Sequence, residues 1–170
     1  MRRFYALNAF LARQLGRVLS RGDVAVLGRH HVPEQGPFLL VANHESFLDP
    51  ILIQGFCPRP LHSMAKSTQF GTPVLGIWMR HLLAYPVRRF QVDPQAVRLT
   101  LRRLQEGEGV GIYIEGERSW TGETLEPRRG ALRILLKAGV PVVPCGISGA
   151  YEMMPRWSSG LRRHPLRITF

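Results

Sequence analysis

Two spacings of apolar residues divide this chain. Over the first twenty positions they recur at helical intervals. At about 100° per residue, Phe4, Leu7, Leu11, Leu15 and Val18 fall on one side, and Arg2, Arg3, Arg13, Arg17 and Arg21 fall on the other. That pattern predicts an amphipathic helix over residues 1–21. Arg13 interrupts its apolar stretch, so the segment does not form the apolar region of a secretory signal. Beyond Gly22 the apolar residues gather into short runs bounded by turn formers. These predict strands at Val24–Leu27, Phe38–Ala42, Val110–Ile114, Val142–Cys145 and Leu166–Phe170. Helical spacing returns between them. Val97, Leu101 and Leu104 line one face of a segment that starts near Pro94 and ends before Gly107. Arg129–Ala138, closed by Gly139, and Asp49–Gly55 predict two further helices.

Alternating strands and helices predict an α/β fold: a single layered domain over residues 22–170, with a mostly parallel central sheet flanked by helices and preceded by the amphipathic helix. A chain of 170 residues suits one such domain. It can bury about 70% of its unfolded surface without metal or disulfide staples. No uncharged apolar run reaches the roughly 18 residues of a membrane-spanning helix, which excludes a multi-span helical protein. There is no internal repeat and no low-complexity tract. The run Leu166–Phe170 at the end of the chain fits a last strand.

Charge narrows the partner. Lys and Arg number 23 against 12 Asp and Glu, a net charge of +11. All but Lys66 and Lys137 of the basic residues are Arg. Such an excess calls for an anionic partner: nucleic acid, anionic lipid or a phosphorylated metabolite. The N-terminal pattern fits an anionic bilayer surface. It fits equally a helix packed on the domain with its arginines in solvent. Cys57 and Cys145 make neither a disulfide framework nor a zinc spacing.

Ligands of open α/β sheets bind beyond the carboxyl ends of strands. After Phe38–Ala42 comes Asn43-His44-Glu45-Ser46-Phe47-Leu48-Asp49, and after Val110–Ile114 comes Glu115-Gly116-Glu117-Arg118-Ser119. On a continuous helix His44 and Asp49 would lie about 140° apart. A turn running into a helix start brings them together. A carboxylate on one imidazole nitrogen fixes the tautomer and leaves the other nitrogen to take a proton from an alcohol. The same residues also fit plain capping: Asp49-Pro50 as N-cap and first helical position, with Ser46-x-x-Asp49 as a capping box. In the second segment, Gly116 permits close backbone approach and Arg118 offers a fork that matches phosphate. Glu115 can accept from a substrate hydroxyl or hold an arginine. A local Glu–Arg pair on a surface loop is the alternative. Trp78, Trp120, Trp157, Phe70 and Tyr85 are candidates for an acyl groove, a bilayer contact or core. Cys145 fits a buried strand end.

Taken together, these motifs resemble the lysophosphatidic acid and glycerol-3-phosphate acyltransferase superfamily. Asn43 to Asp49 matches its N-H-x-S-x-x-D block. Ala65-Lys66, Pro73 to Gly76 and Ala84 to Arg89 resemble the second block, Tyr113 to Ser119 the third, and Val140 to Pro144 the fourth. The blocks run in order across roughly Val24 to Ala150. Ile114 and Glu117 depart from the usual F-P-E-G-T-R-S. The resemblance implies a glycerol-3-phosphate acyltransferase-like fold. It implies transfer of a fatty acyl group from acyl-CoA or acyl carrier protein to the hydroxyl of lysophosphatidic acid. His44 would be the general base and Asp49 its orienting partner. Lys66, Arg89 and Arg118 would meet the acceptor phosphate, and Glu115 and Gly116 would shape that pocket. No metal and no cofactor are expected. The expected partners are the thioester donor, a lysophospholipid acceptor and an anionic membrane surface, with no nucleic acid. The expected location is the cytoplasmic face of a membrane, peripheral or monotopic. Two alternatives stay open. One is another lyso-lipid acceptor, motivated by Glu117. The other is a non-enzymatic basic protein that binds membranes or nucleic acid.

Overall fold

A computed structural model of the chain describes residues 2–91 and 93–170, and the side chain of Arg2 lies outside what is described. The described residues form a seven-stranded sheet: β1 (Val24–Leu27), β2 (Phe38–Ala42), β3 (Leu61–Lys66), β4 (Ala84–Val87), β5 (Gly109–Tyr113), β6 (Val142–Ser148) and β7 (Leu166–Thr169). Their spatial order is β1-β7-β6-β2-β5-β3-β4. Every pairing is parallel except β6 with β7. β2 is central and apolar throughout because both of its faces are covered, as in parallel sheets generally. Phe38, Leu40 and Ala42 face one core layer, with Leu52, Ile53 and Phe56 of α2 (Asp49–Phe56). Leu39 faces the other, with Leu104 of α4 (Pro94–Gln105) and Ile134 of α5 (Arg129–Ala138).

The predicted strands and helices are all present, with shifts at their ends. Two strands and two helices, α3 (Pro73–His81) and α6 (Ala150–Met153), go beyond the expectation. β3 hides His62 and Ser63 inside the sheet, which breaks its apolar run. β4 contains Pro86, which is tolerated because β4 is an edge strand. In α4 the buried stripe is Ala96, Thr100 and Leu104, one step from the expected face. Thr100 is buried because its hydroxyl donates to the carbonyl of Ala96 and pairs with Tyr85 at 2.7 Å. The short helix α6 follows β6.

The N-terminal helix, α1 (Arg2–Leu19), corrects the two-sided picture. It has three faces. Tyr5, Ala9, Ala12, Gly16 and Leu19 are buried. Close packing on α2 explains their small size: a Cβ added at Gly55 would stand 2.9 Å from Ala12 Cβ and 3.2 Å from the amide of Arg13. Arg13 is turned inward, donating to the carbonyl of Gly55 at 2.9 Å. Arg3 and Arg17 are exposed. Most of the predicted apolar face is left uncovered by the domain. Of its members only Leu15 reaches the core, whereas Phe4, Leu7, Leu11 and Val18 are 53–60% exposed. Phe4 stacks on His81 at the end of α3, ring centroids 4.8 Å apart. α3 in turn exposes Val74, Ile77 and Trp78. Among the described residues no helix is long and apolar enough to cross a membrane.

Candidate active site

Parallel pairing sends β2, β5, β3 and β4 out at one edge: Ala42 stands beside Tyr113 and Lys66 beside Val87. Each polar segment singled out above therefore leaves the sheet on the same side. His44 lies two residues past β2 and is 6% exposed. Its Nδ1 meets Asp49 Oδ2 at 2.8 Å. Its main chain is held from the β5 side at both ends. Glu115 Oε1 accepts from the His44 amide at 3.1 Å, and the Ser119 amide donates to the His44 carbonyl at 2.8 Å. Its ring centroid lies 4.3 Å from that of the half-buried Tyr113. Backbone, ring plane and tautomer are thus each fixed by a separate contact. With Nδ1–H donated to Asp49, Nε2 carries the free lone pair.

Asp49 is fully buried and starts α2 as its first helical residue, so the expected N-cap falls instead on Leu48. Its carboxylate points back into the loop. Besides His44, Oδ2 accepts from the amides of Glu45 (2.6 Å) and Ser46 (2.8 Å). Ser46 takes part in the reach-back half of a capping box, its amide donating to Asp49 Oδ2. Its hydroxyl donates to the carbonyl of Met154 at 2.7 Å and accepts from the amide of Leu48 at 3.2 Å. Asn43 continues the sheet: its side chain both donates to and accepts from the backbone of Ile147 on β6.

Glu115, 1% exposed, holds no arginine with its carboxylate; it ties β5 to the His44 loop. Burial raises its pKa, and the amide of His44 opposes that rise. Its Oε2 is buried and has no hydrogen-bond partner among the described residues. Gly116 has φ +73, and a Cβ there would stand 3.0 Å from Arg128 Cγ, so both conformation and space favour glycine. The Glu45 carboxylate accepts from Asn43 Nδ2 through Oε1 at 2.7 Å. Burial, then the charges of Asp49 and Glu152, push its carboxyl up to about 7.

The basic candidates separate. Arg118 is half-buried, and its pKa is lowered by burial and then by the charge of Arg156. Arg89 is half-buried too. It is lowered by burial and by Arg118, opposed by Glu117, and lowered again by Arg156. Arg89, Arg118, Glu117 and Arg156 therefore share one electrostatic neighbourhood. Lys66 is exposed at the carboxyl end of β3 and makes no hydrogen bond or ion pair among the described residues. Arg156 has no place in the motifs and was missed by sequence reasoning. Its only sequence signal is an arginine set between Pro155 and Trp157. The structural parts played by Asn43 and Ser119 were also missed. The aromatics divide: Tyr85 is core, whereas Trp78, Trp120 and Trp157 are exposed. Cys145 is buried as expected, and burial pushes its thiol up to about 12.

A sheet that gathers a buried His–Asp pair and several arginines at one edge defines a class, and comparison with known proteins bears it out. The sequence model of the family described as Acyltransferase matches residues 23–148, and the chain belongs to that family. It is 32% identical over 142 residues to the 1-acyl-sn-glycerol-3-phosphate acyltransferase of Bacillus subtilis, covering 82% of this chain and 70% of that protein. It is 30% identical over 129 residues to the human 1-acyl-sn-glycerol-3-phosphate acyltransferase alpha, covering 74% of this chain but 45% of that one. The crystal structure of the 1-acyl-sn-glycerophosphate (LPA) acyltransferase PlsC from Thermotoga maritima superimposes with a TM-score of 0.84 at 28% identity, covering 97% of this chain and 66% of that chain. The chain thus spans about two thirds of the Bacillus and Thermotoga proteins and under half of the human one.

Proposed function

We propose that the protein transfers a fatty acyl group from a coenzyme A or acyl carrier protein thioester to the hydroxyl of lysophosphatidic acid, with His44 as general base. The observation that carries this reading is the 2.8 Å contact between His44 Nδ1 and Asp49 Oδ2, on a loop clamped by Glu115 and Ser119. The acceptor hydroxyl gives its proton to Nε2 while its oxygen bonds to the thioester carbonyl carbon. The tetrahedral intermediate collapses, the C–S bond breaks, and the leaving thiolate takes the proton back from the imidazolium. A thioester is already activated, so the step asks for no metal or cofactor. Arg118 and Arg89 supply the charge that a phosphate-bearing acceptor needs, with Lys66 at the rim. Glu117 does not weigh against such an acceptor, because Arg128 and Arg156 take up its charge.

The exposed apolar band of α1 and α3 supports docking on a membrane surface, where a lyso-lipid resides. The arginine excess favours an anionic leaflet such as the cytoplasmic one. The test is thiol release from acyl-CoA and from acyl carrier protein thioester, each with no acceptor, with glycerol 3-phosphate and with lysophosphatidic acid. The expected result is release that depends on lysophosphatidic acid, with phosphatidic acid as product. Equal release with and without it contradicts the reading.

A further inference from the structure

Glu117 engages two different arginines. Oε1 accepts from Arg128 Nη2, and Oε2 accepts from Arg156 Nη1 at 3.0 Å. Arg156 Nη1 donates also to the carbonyl of Arg118 at 2.7 Å. Its Cζ lies 4.2 Å from the centroid of the Trp120 ring. The guanidinium is thus fixed along one edge and across one face. Its other donors, Nε and Nη2, make no hydrogen bond among the described residues.

Arg156 borders an open groove of about 450 Å³, which it lines together with Arg118, Phe47, Met154 and Trp157. The groove abuts the His44 loop, since Phe47 belongs to it and Ser46 is bonded to Met154. It is cationic at Arg118 and Arg156, apolar along Phe47, Met154 and Trp157, and polar at Ser158 and Ser159, a lining for an amphipathic anion. Arg89, Arg128 and Arg156 act on Glu117, and Arg118 beside Arg156 is opposed by Asp49, so four arginines face two carboxylates and two positive charges remain. A phosphate monoester carries about −2 at neutral pH and would relieve most of that excess. Arg156 lies beyond residue 148, where the family match ends.

We propose that Arg156, held by Glu117 and Trp120, binds the phosphate monoester of the lysophospholipid acceptor beside Arg118, with the acceptor's apolar chain lying along Phe47, Met154 and Trp157. This assignment rests on the acceptor proposed above. Its test is equilibrium binding, which does not depend on turnover. A short-chain, monomeric lysophosphatidic acid is titrated calorimetrically into the full chain carrying His44→Ala, with and without Arg156→Ala. Monoacylglycerol and coenzyme A are run in parallel. Arg156→Ala is expected to raise the Kd for lysophosphatidic acid by ~10-fold or more. The Kd for coenzyme A and for the phosphate-free lipid should stay put. Glu117→Gln should give a smaller rise that does not add to that of Arg156→Ala, because both act through one guanidinium. Should Arg156→Ala melt early, Arg156→Gln replaces it. An unchanged Kd for lysophosphatidic acid, or a loss that falls on coenzyme A, overturns the proposal. Arg156-dependent binding in a protein that fails the transfer assay keeps the phosphate site and removes the reaction.

Discussion

At the residue scale, one carboxylate oxygen organises the site. Asp49 Oδ2 accepts from His44, Glu45 and Ser46 at once. Asparagine in its place cannot satisfy all three donors without misplacing its own NH2. Asp49→Asn is therefore expected to lower turnover by ~10²-fold or more with little change in acceptor KM. It should also cost about 1–3 kcal/mol of stability. Equal turnover by the two proteins would remove Asp49 from the account. Glu45 gives a prediction with a sign. Its folded pKa of about 7 exceeds its ordinary 4.5, so the folded chain holds the extra proton between those values. Its stabilising contribution is full below pH 4.5 and is lost as pH rises towards 7. Thermal melts of Glu45→Gln should match the parent in acid and exceed it at neutral pH. A difference constant with pH would contradict this.

His44, Asp49 and Arg118 were legible in the sequence because their blocks are local and ordered. Arg156 was not, because it joins the site only through a tertiary contact with the β5 loop. Capping was a partial account of Asp49: its carboxylate reaches back to the Ser46 amide as a capping box would, but the spacing does not say that the same oxygen also holds Glu45 and His44.

At the element scale, α1 shows what periodicity can and cannot give. The apolar and arginine faces were legible. The third face, of Ala9, Ala12 and Gly16, was not, because small residues carry little hydrophobic signal yet allow close helix approach. Two variants separate these faces. Gly55→Ala pushes a methyl group into Ala12 and the Arg13 amide and should cost about 1–3 kcal/mol, read as an earlier melt. Leu7→Glu with Leu11→Glu should leave the melt nearly unchanged and weaken sedimentation with anionic vesicles several-fold. Unchanged vesicle binding would discard α1 as a docking surface. β3 and β4 escaped the sequence for a related reason: buried His62 and Ser63 and the edge proline hide strands whose pairing is long-range.

At the scale of the whole molecule, the sheet carries the function by topology. The parallel order puts the ends of β2, β5, β3 and β4 along one edge, so residues 44, 66, 89 and 118, distant in sequence, leave the sheet on the same side. The net charge of +11 acts across the same body. Binding to anionic vesicles should weaken as salt rises from ~0.05 to 0.5 M, as exposed charges are screened. The central claim is that His44 takes the acceptor's proton, and it is most directly tested by thiol release from a long-chain acyl-CoA with lysophosphatidic acid, comparing the parent with His44→Ala. The account predicts that lysophosphatidic acid-dependent release falls by ~10²-fold or more in His44→Ala while the melt shows a folded protein. Parent-level release from the folded variant would contradict it.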